Sequence, residues 1–302
     1  MTYFPRSATA LTIIGLAFSS TVIAPAAAAE PKVEVVNAGS GQKAELRFAP
    51  KKGLTESFEV QLDLETTMNM GGPGAMPINL PPLVLTLTGT VTDVESNGNI
   101  HYTYELTKST TLEKEGIDKT LKGAMEAETA KLVGMKGEVV MSPIGQRLSS
   151  KILPPPGAGE EQVDRMKQSM NHAAVPLPTE PVGVGAVWRV TQVVKENGLT
   201  LDQTNTYTLK EHTGSTIVLQ TELTQQVGDG PAFNPDLPPG ATADIASLTS
   251  QGSGETILAL DHLFPTKATL DHKLDTLILV GQTGKKMNMA LSMALKLQMH
   301  RP

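Results

Sequence analysis

The 302-residue chain is 39% hydrophobic and 19% charged, with 27 Gly, 21 Pro and no Cys, which suits a globular protein and neither a disordered tail nor a membrane-helix bundle. Lys and Arg number 25 against 31 Asp and Glu, a net charge of −6, which argues against non-specific nucleic-acid binding and a polybasic membrane-surface protein. The lack of Cys excludes disulfides, thiolate metal sites, a Cys nucleophile and a lipidated N-terminal Cys.

Arg6 is the only charge before Glu30. An apolar core, Leu11 to Phe18, and the small run Ala26 to Ala29 follow it. A positive tip, a short apolar segment and an Ala-x-Ala site predict a secretory signal peptide cleaved after Ala29. The core is shorter than the ~20 residues of a spanning helix. The mature chain is therefore expected in a bacterial periplasm or outside the cell, and not as an integral membrane protein.

Residues 30–42 read as a tether. Phe58 to Met70 then alternates apolar with polar positions, the period of a half-buried strand. Leu83 to Val91 and Ile100 to Leu106 read as a hairpin around Ser96-Asn97-Gly98-Asn99, because Asn-Gly accepts the positive φ of a tight turn. Ile117, Leu121, Ala124, Met125 and Leu132 have helical spacing. Val139 to Met141 and Arg147 to Ile152 read as short strands joined at Pro143-Ile144-Gly145. After Leu153-Pro154-Pro155, a second helix is expected from Glu160 through Val163, Met166 and Met170. Strands resume at Trp188–Val194, Leu199–Leu209 and Thr216–Val227, with a Pro/Gly loop at Gly228–Gly240. Short strands at Thr256–Leu260, Thr266–Leu274 and Thr276–Val280 precede a long one, Met287 to Met299, with seven Leu and Met on one face.

The fold expected is mainly β, with antiparallel curved sheets and two helices in the middle; an α+β arrangement is the alternative. Its divisions are 1–29 signal peptide, 30–42 tether, 43–153 first β unit with one helix, 154–181 Pro-rich linker with a helix, and 182–302 second β unit. The units read as related half-barrels, since Phe58-Glu59-Val60 echoes Trp188-Arg189-Val190 and Tyr102 to Leu106 echoes Thr206 to Leu209. An outer-membrane barrel is disfavoured because the mature chain lacks aromatic girdles and an aromatic C-terminal anchor.

Leu46-Arg47-Phe48, Lys51-Lys52-Gly53 and Phe58, then Lys136-Gly137-Glu138-Val139 before Pro143, stand in a recurring order. Pro178 to Trp188, with Pro181-Val182 and Gly183-Val184-Gly185, continues it. This order resembles an uncharacterised family of exported bacterial proteins, a domain of unknown function, over most of the mature chain. Many members look like lipoproteins with a lipidated Cys, which this chain lacks. The resemblance implies neither an activity nor a catalytic residue.

Serine-hydrolase, zinc-protease, P-loop and calcium-loop motifs are missing from the sequence. Asp261-His262 and Asp271-His272 flank Pro265, so a hairpin near residues 266 and 267 would bring imidazoles and carboxylates within reach of each other, as a divalent-cation site requires. The competing reading is a pair of ordinary cross-strand contacts. Met-Asn-Met at 68–70 and 287–289 offers soft ligands for Cu(I), but Leu on the same face favours core packing. Leu-Pro-Pro recurs at 80–82, 153–155 and 237–239, as Pro-stiffened connections or as lids.

No catalytic residue or cofactor is expected. The first reading is a non-catalytic envelope protein, a structural or protein-interaction module whose partner is an envelope protein. The alternative is a periplasmic carrier of a lipid or other apolar small molecule, with Phe58, Leu62, Leu64, Met68, Met289, Leu291, Met293 and Leu295 as its wall. The second alternative is a metal-dependent hydrolase using Asp261, His262, Asp271 and His272.

Overall fold

The computed structural model describes residues 31–70, 74–155, 175–196, 199–228, 241–282 and 285–301. The signal peptide, the expected second helix and the third Leu-Pro-Pro element lie outside these residues.

The fold is mainly β and antiparallel. In chain order come β1 (Lys32–Asn37), β2 (Ser40–Ala44), β3 (Thr55–Asn69), β4 (Met76–Asn79), β5 (Leu83–Val94) and β6 (Ile100–Thr111). Among the described residues one helix, α1 (Lys119–Ala130), precedes β7 (Lys136–Met141), β8 (Arg147–Leu153) and β9 (Val182–Val184). The rest is β10 (Val187–Glu196), β11 (Leu199–Thr213), β12 (Thr216–Val227), β13 (Ala241–Ala259), β14 (Lys267–Gln282) and β15 (Lys285–His300). Thirteen strands form one sheet, ordered β1-β10-β11-β12-β13-β14-β15-β3-β5-β6-β7-β8, with β4 beside β3, while β2 pairs with β9. The order has two free ends, β1 and β8, so the sheet is not closed into a barrel.

Two segments differ from expectation. The residues read as a tether contain β1 and β2, and Val33 and Val35 of β1 pair with Val190 and Trp188. Two alternating apolar residues are too short a pattern to read as a strand, but they suffice to cover the edge of β10. The short strands expected after residue 256 belong to two long ones, β13 of 19 residues and β14 of 16. Both proposed units lie in this one sheet, joined where β15 pairs with β3. The two Tyr-bearing strands hold different places: β6 is two strands from β3, whereas β11 is directly beside β10.

The turns follow from local chemistry. Gly98 has φ 87° between β5 and β6, and Asn97 Oδ1 accepts the Asn99 N–H at 2.9 Å. Asp118 caps α1, its carboxylate accepting the N–H groups of Thr120 and Leu121 at 2.8 and 2.9 Å. These bonds hold the Asp118 carboxyl below its ordinary value.

The sheet rolls on itself. Trp188, Tyr207 and Leu219 of β10–β12 and Val91, Ile100 and Met141 of β5–β7 belong to one buried cluster, although their strands lie toward opposite ends of the sheet. Side chains of one face meet across that distance only if the face is concave. Leu46, Phe48, Leu177 and Val182 complete the cluster and seal this end. Phe48 N donates to Pro143 O at 2.7 Å, and Ala49 N to Leu260 O at 2.7 Å. Trp188 Nε1 donates to Pro176 O at 3.0 Å. The Lys-Gly-Glu-Val motif also serves packing, since a Cβ on Gly137 would lie 2.0 Å from Tyr104 Cζ.

Candidate functional site

The concave face is the candidate site, and strand register defines its wall. On β15 and β3, Leu291 faces Met68, Leu295 faces Leu64, Leu297 faces Leu62 and Met299 faces Val60. Period-two alternation puts Met289 and Met293 on the same side. Leu64, Met68, Leu291, Met293 and Leu295 are buried in one cluster with Leu80, and Leu62, Ile78, Leu121, Leu274 and Met289 pack against it. Phe58 belongs to the adjoining cluster with Leu87, Tyr104 and Leu106. Seven of the eight wall residues read from the sequence thus meet directly, and the eighth adjoins them.

Helix α1 lies against this wall. Leu121 packs on the Leu/Met cluster, and Thr111 of β6 donates to Glu126 at 2.5 Å. At the rim, Met70, Met76 and Met287 are each about half exposed. The first Leu-Pro-Pro element closes the wall from the side, with Leu80 2% exposed and Pro82 O accepting the Leu112 N–H at 2.8 Å.

At one level the opposite half of the face is polar, between rows that hold the buried Val190 and Val194. The pairing aligns Gln192, Gln203, Gln225, Ser250, Leu274, Met293 and Thr66 in one row across β10, β11, β12, β13, β14, β15 and β3. Gln225 Nε2 donates to Gln203 Oε1 at 2.8 Å, and Ser250 Oγ donates to Gln225 Oε1 at 2.7 Å. His272, one step along β14, places Nε2 2.7 Å from Ser250 Oγ. A hydroxyl has a single hydrogen, and Ser250 uses it on Gln225, so His272 is the donor of this last bond. Burial lowers the His272 pKa to about 4, which keeps the ring neutral at physiological pH. In the apolar part of the row, Thr66 is 2% exposed and its Oγ1 has no hydrogen-bond partner.

His272 also predicts a pH dependence. Its pKa is lower folded than unfolded, so between the two values the unfolded chain binds the extra proton and stability falls as pH falls. From about pH 7.5 to pH 4.5 the wild type should lose about 2–3 kcal/mol more than His272→Gln in denaturant unfolding. Equal losses would show that the ring carries no such linkage.

The structure does not assemble the Asp/His constellation. The register places Asp271 opposite Ser253 and His272 opposite Gly252, five residues and about 17 Å of strand past the turn that holds His262. Adjacent residues face opposite sides, so His272 is buried inside while Asp271 is exposed opposite Lys296. Asp261 is exposed, and a hydrogen bond from the Ser215 side chain is the main cause that holds its carboxyl below its ordinary value. Among the described residues no group of three or more His, Asp or Glu is placed to hold a metal ion.

His262 instead joins Glu56 and Arg301. Glu56 Oε1 accepts the N–H groups of Leu263 and Phe264 at 2.6 and 3.0 Å, and Oε2 lies 2.7 Å from His262 Nδ1 and 3.4 Å from Arg301 Nη1. Arg301 also bonds Thr266. The Glu56 side chain is 8% exposed. This group pins the β13–β14 turn inward, where Phe264 packs on Phe58 with ring centroids 4.1 Å apart and the rings tilted by 37°. It anchors the sealed end and is not directed at the Leu/Met wall.

Sequence reasoning missed the Gln/Ser/His row and Glu56. Gln203 shares a strand phase with Leu201 and Tyr207, and Gln225 with Leu219 and Leu223. That phase was the available signal: polar residues in register with apolar ones face the interior. Compared with known proteins, the chain matches no protein-family model and no curated sequence.

Proposed function

We propose that the protein is a non-catalytic, exported protein of the bacterial envelope that carries an apolar ligand within its rolled sheet. The width of that sheet is the observation behind this reading. About eight strands enclose an interior that side chains just fill, whereas this sheet is 12 strands wide, with β4 beside β3, and curls until side chains from its opposite parts share one buried cluster. One end is plugged by chain segments. Toward the other, the wall is Leu and Met, and methionine suits ligands of variable shape because its side chain repacks easily. The signal-peptide pattern supports placement in the envelope. The test is native mass spectrometry of protein purified from envelope extract, followed by binding of N-phenylnaphthylamine to delipidated protein. Co-purified lipid and saturable, one-site probe binding are expected. Bare protein that binds no probe would overturn the reading.

The second reading, a packed structural or interaction module, draws on the low exposure of the same wall, from 4% at Leu295 to 8% at Leu64 and Met68. In that case the interior is complete without a ligand, and the partner is another envelope protein.

A further inference from the structure

The carrier reading leaves the ligand's chemistry open, and the row across the concave face bears on it. The inner face has two unlike halves at one level. On β10–β13 it presents Gln203, Gln225 and Ser250, joined to His272 by hydrogen bonds of 2.7–2.8 Å. On β15 and β3 the same level is Met293 and Thr66. The neighbouring rows add Leu291 and Met68 on one side and Leu295 and Leu64 on the other.

No Asp, Glu, Lys or Arg stands in these three rows on β10–β15 or β3. A carboxylate or phosphate brought to this level would be desolvated without a counter-charge, which is costly. A hydroxyl, ester or amide would instead find amide and hydroxyl partners able both to donate and to accept. Thr66 supplies an independent observation. A buried hydroxyl without a partner is unfavourable, and this one is aimed by strand register into the Leu/Met wall.

We propose that the carried ligand is an uncharged acyl amphiphile, its chain along the Leu/Met wall and its hydroxyl, ester or amide group at the level of Thr66 and the Gln203–Gln225–Ser250–His272 chain. This inference rests on the carrier reading. The neutral ring of His272 is consistent with it, since a cationic imidazolium would attract an anionic head.

The experiment uses delipidated mature protein loaded with N-phenylnaphthylamine. Displacement is compared for 1-oleoylglycerol and for oleate at an alkaline pH where oleate is ionised, so that chain length is constant and head-group charge differs. Oleoylglycerol should displace the probe at a concentration at least about tenfold lower than oleate. In Gln225→Leu and in Thr66→Val the preference, taken as the ratio of the two displacing concentrations for each variant, should fall to within about threefold. Equal or better displacement by oleate, or a preference unchanged in both variants, would overturn the head-group assignment and leave the carrier reading standing. Failure of the wild type to bind the probe or either lipid would overturn both. The wild-type comparison decides the matter even if a variant fails to fold.

Discussion

Glu56→Ala is expected to lower stability by about 3–5 kcal/mol in denaturant unfolding, while Glu56→Gln should lose less. The carboxylate is 8% exposed and takes the backbone N–H groups of Leu263 and Phe264 together with the contacts to His262 and Arg301. Alanine leaves two backbone donors without their acceptor and the mostly buried Arg301 without its counter-charge. It also frees the turn that carries Phe264 onto Phe58 and into the space beside Gly89, where a Cβ would lie 2.5 Å from the Phe264 ring. Gln keeps one acceptor oxygen for the turn but loses the charge. A cost below about 1 kcal/mol for Glu56→Ala would show that the turn docks without this anchor.

How much of this was legible follows from the range of each interaction. Period two is local, so β3, the β5–β6 hairpin and β15 stand in the sequence nearly as they stand in the fold. The shared phase of Phe58, Leu62, Leu64 and Met68, and of Met289 to Leu295, was legible for the same reason. That the two strands are neighbours was not, because nothing local ties residue 60 to residue 299. Glu56 and His262 are 206 positions apart, and only the rolled sheet brings them together. The Asp/His pairs suggested a cluster because they are close in sequence. The register undoes it: β13 ends at Ala259 and β14 begins at Lys267, which leaves His262 in the turn and His272 well along the strand. The Gln/Ser row carried its signal in strand phase, against residue type. Ser250 is 2% and Gln225 9% exposed because each lies in phase with apolar neighbours on its strand.

The second large effect separates the sealed end from the ligand wall. Leu219→Ala should cost about 3–5 kcal/mol, since Leu219 is fully buried and neighbouring side chains surround the space it would leave. Leu295→Ala and Met293→Ala should each cost about half as much or less in the ligand-free protein. If a wall residue meets ligand on its inner side, truncation there removes fewer protein contacts and the wall relaxes into the space left. The same two variants should weaken N-phenylnaphthylamine binding severalfold, whereas Leu219→Ala, measured where it is still folded, should leave that affinity unchanged. Denaturant unfolding and probe titration of the three variants give both readouts. Costs at the wall as large as at the sealed end, with no probe bound by any form of the protein, would identify the interior as a packed core and return the molecule to the module reading.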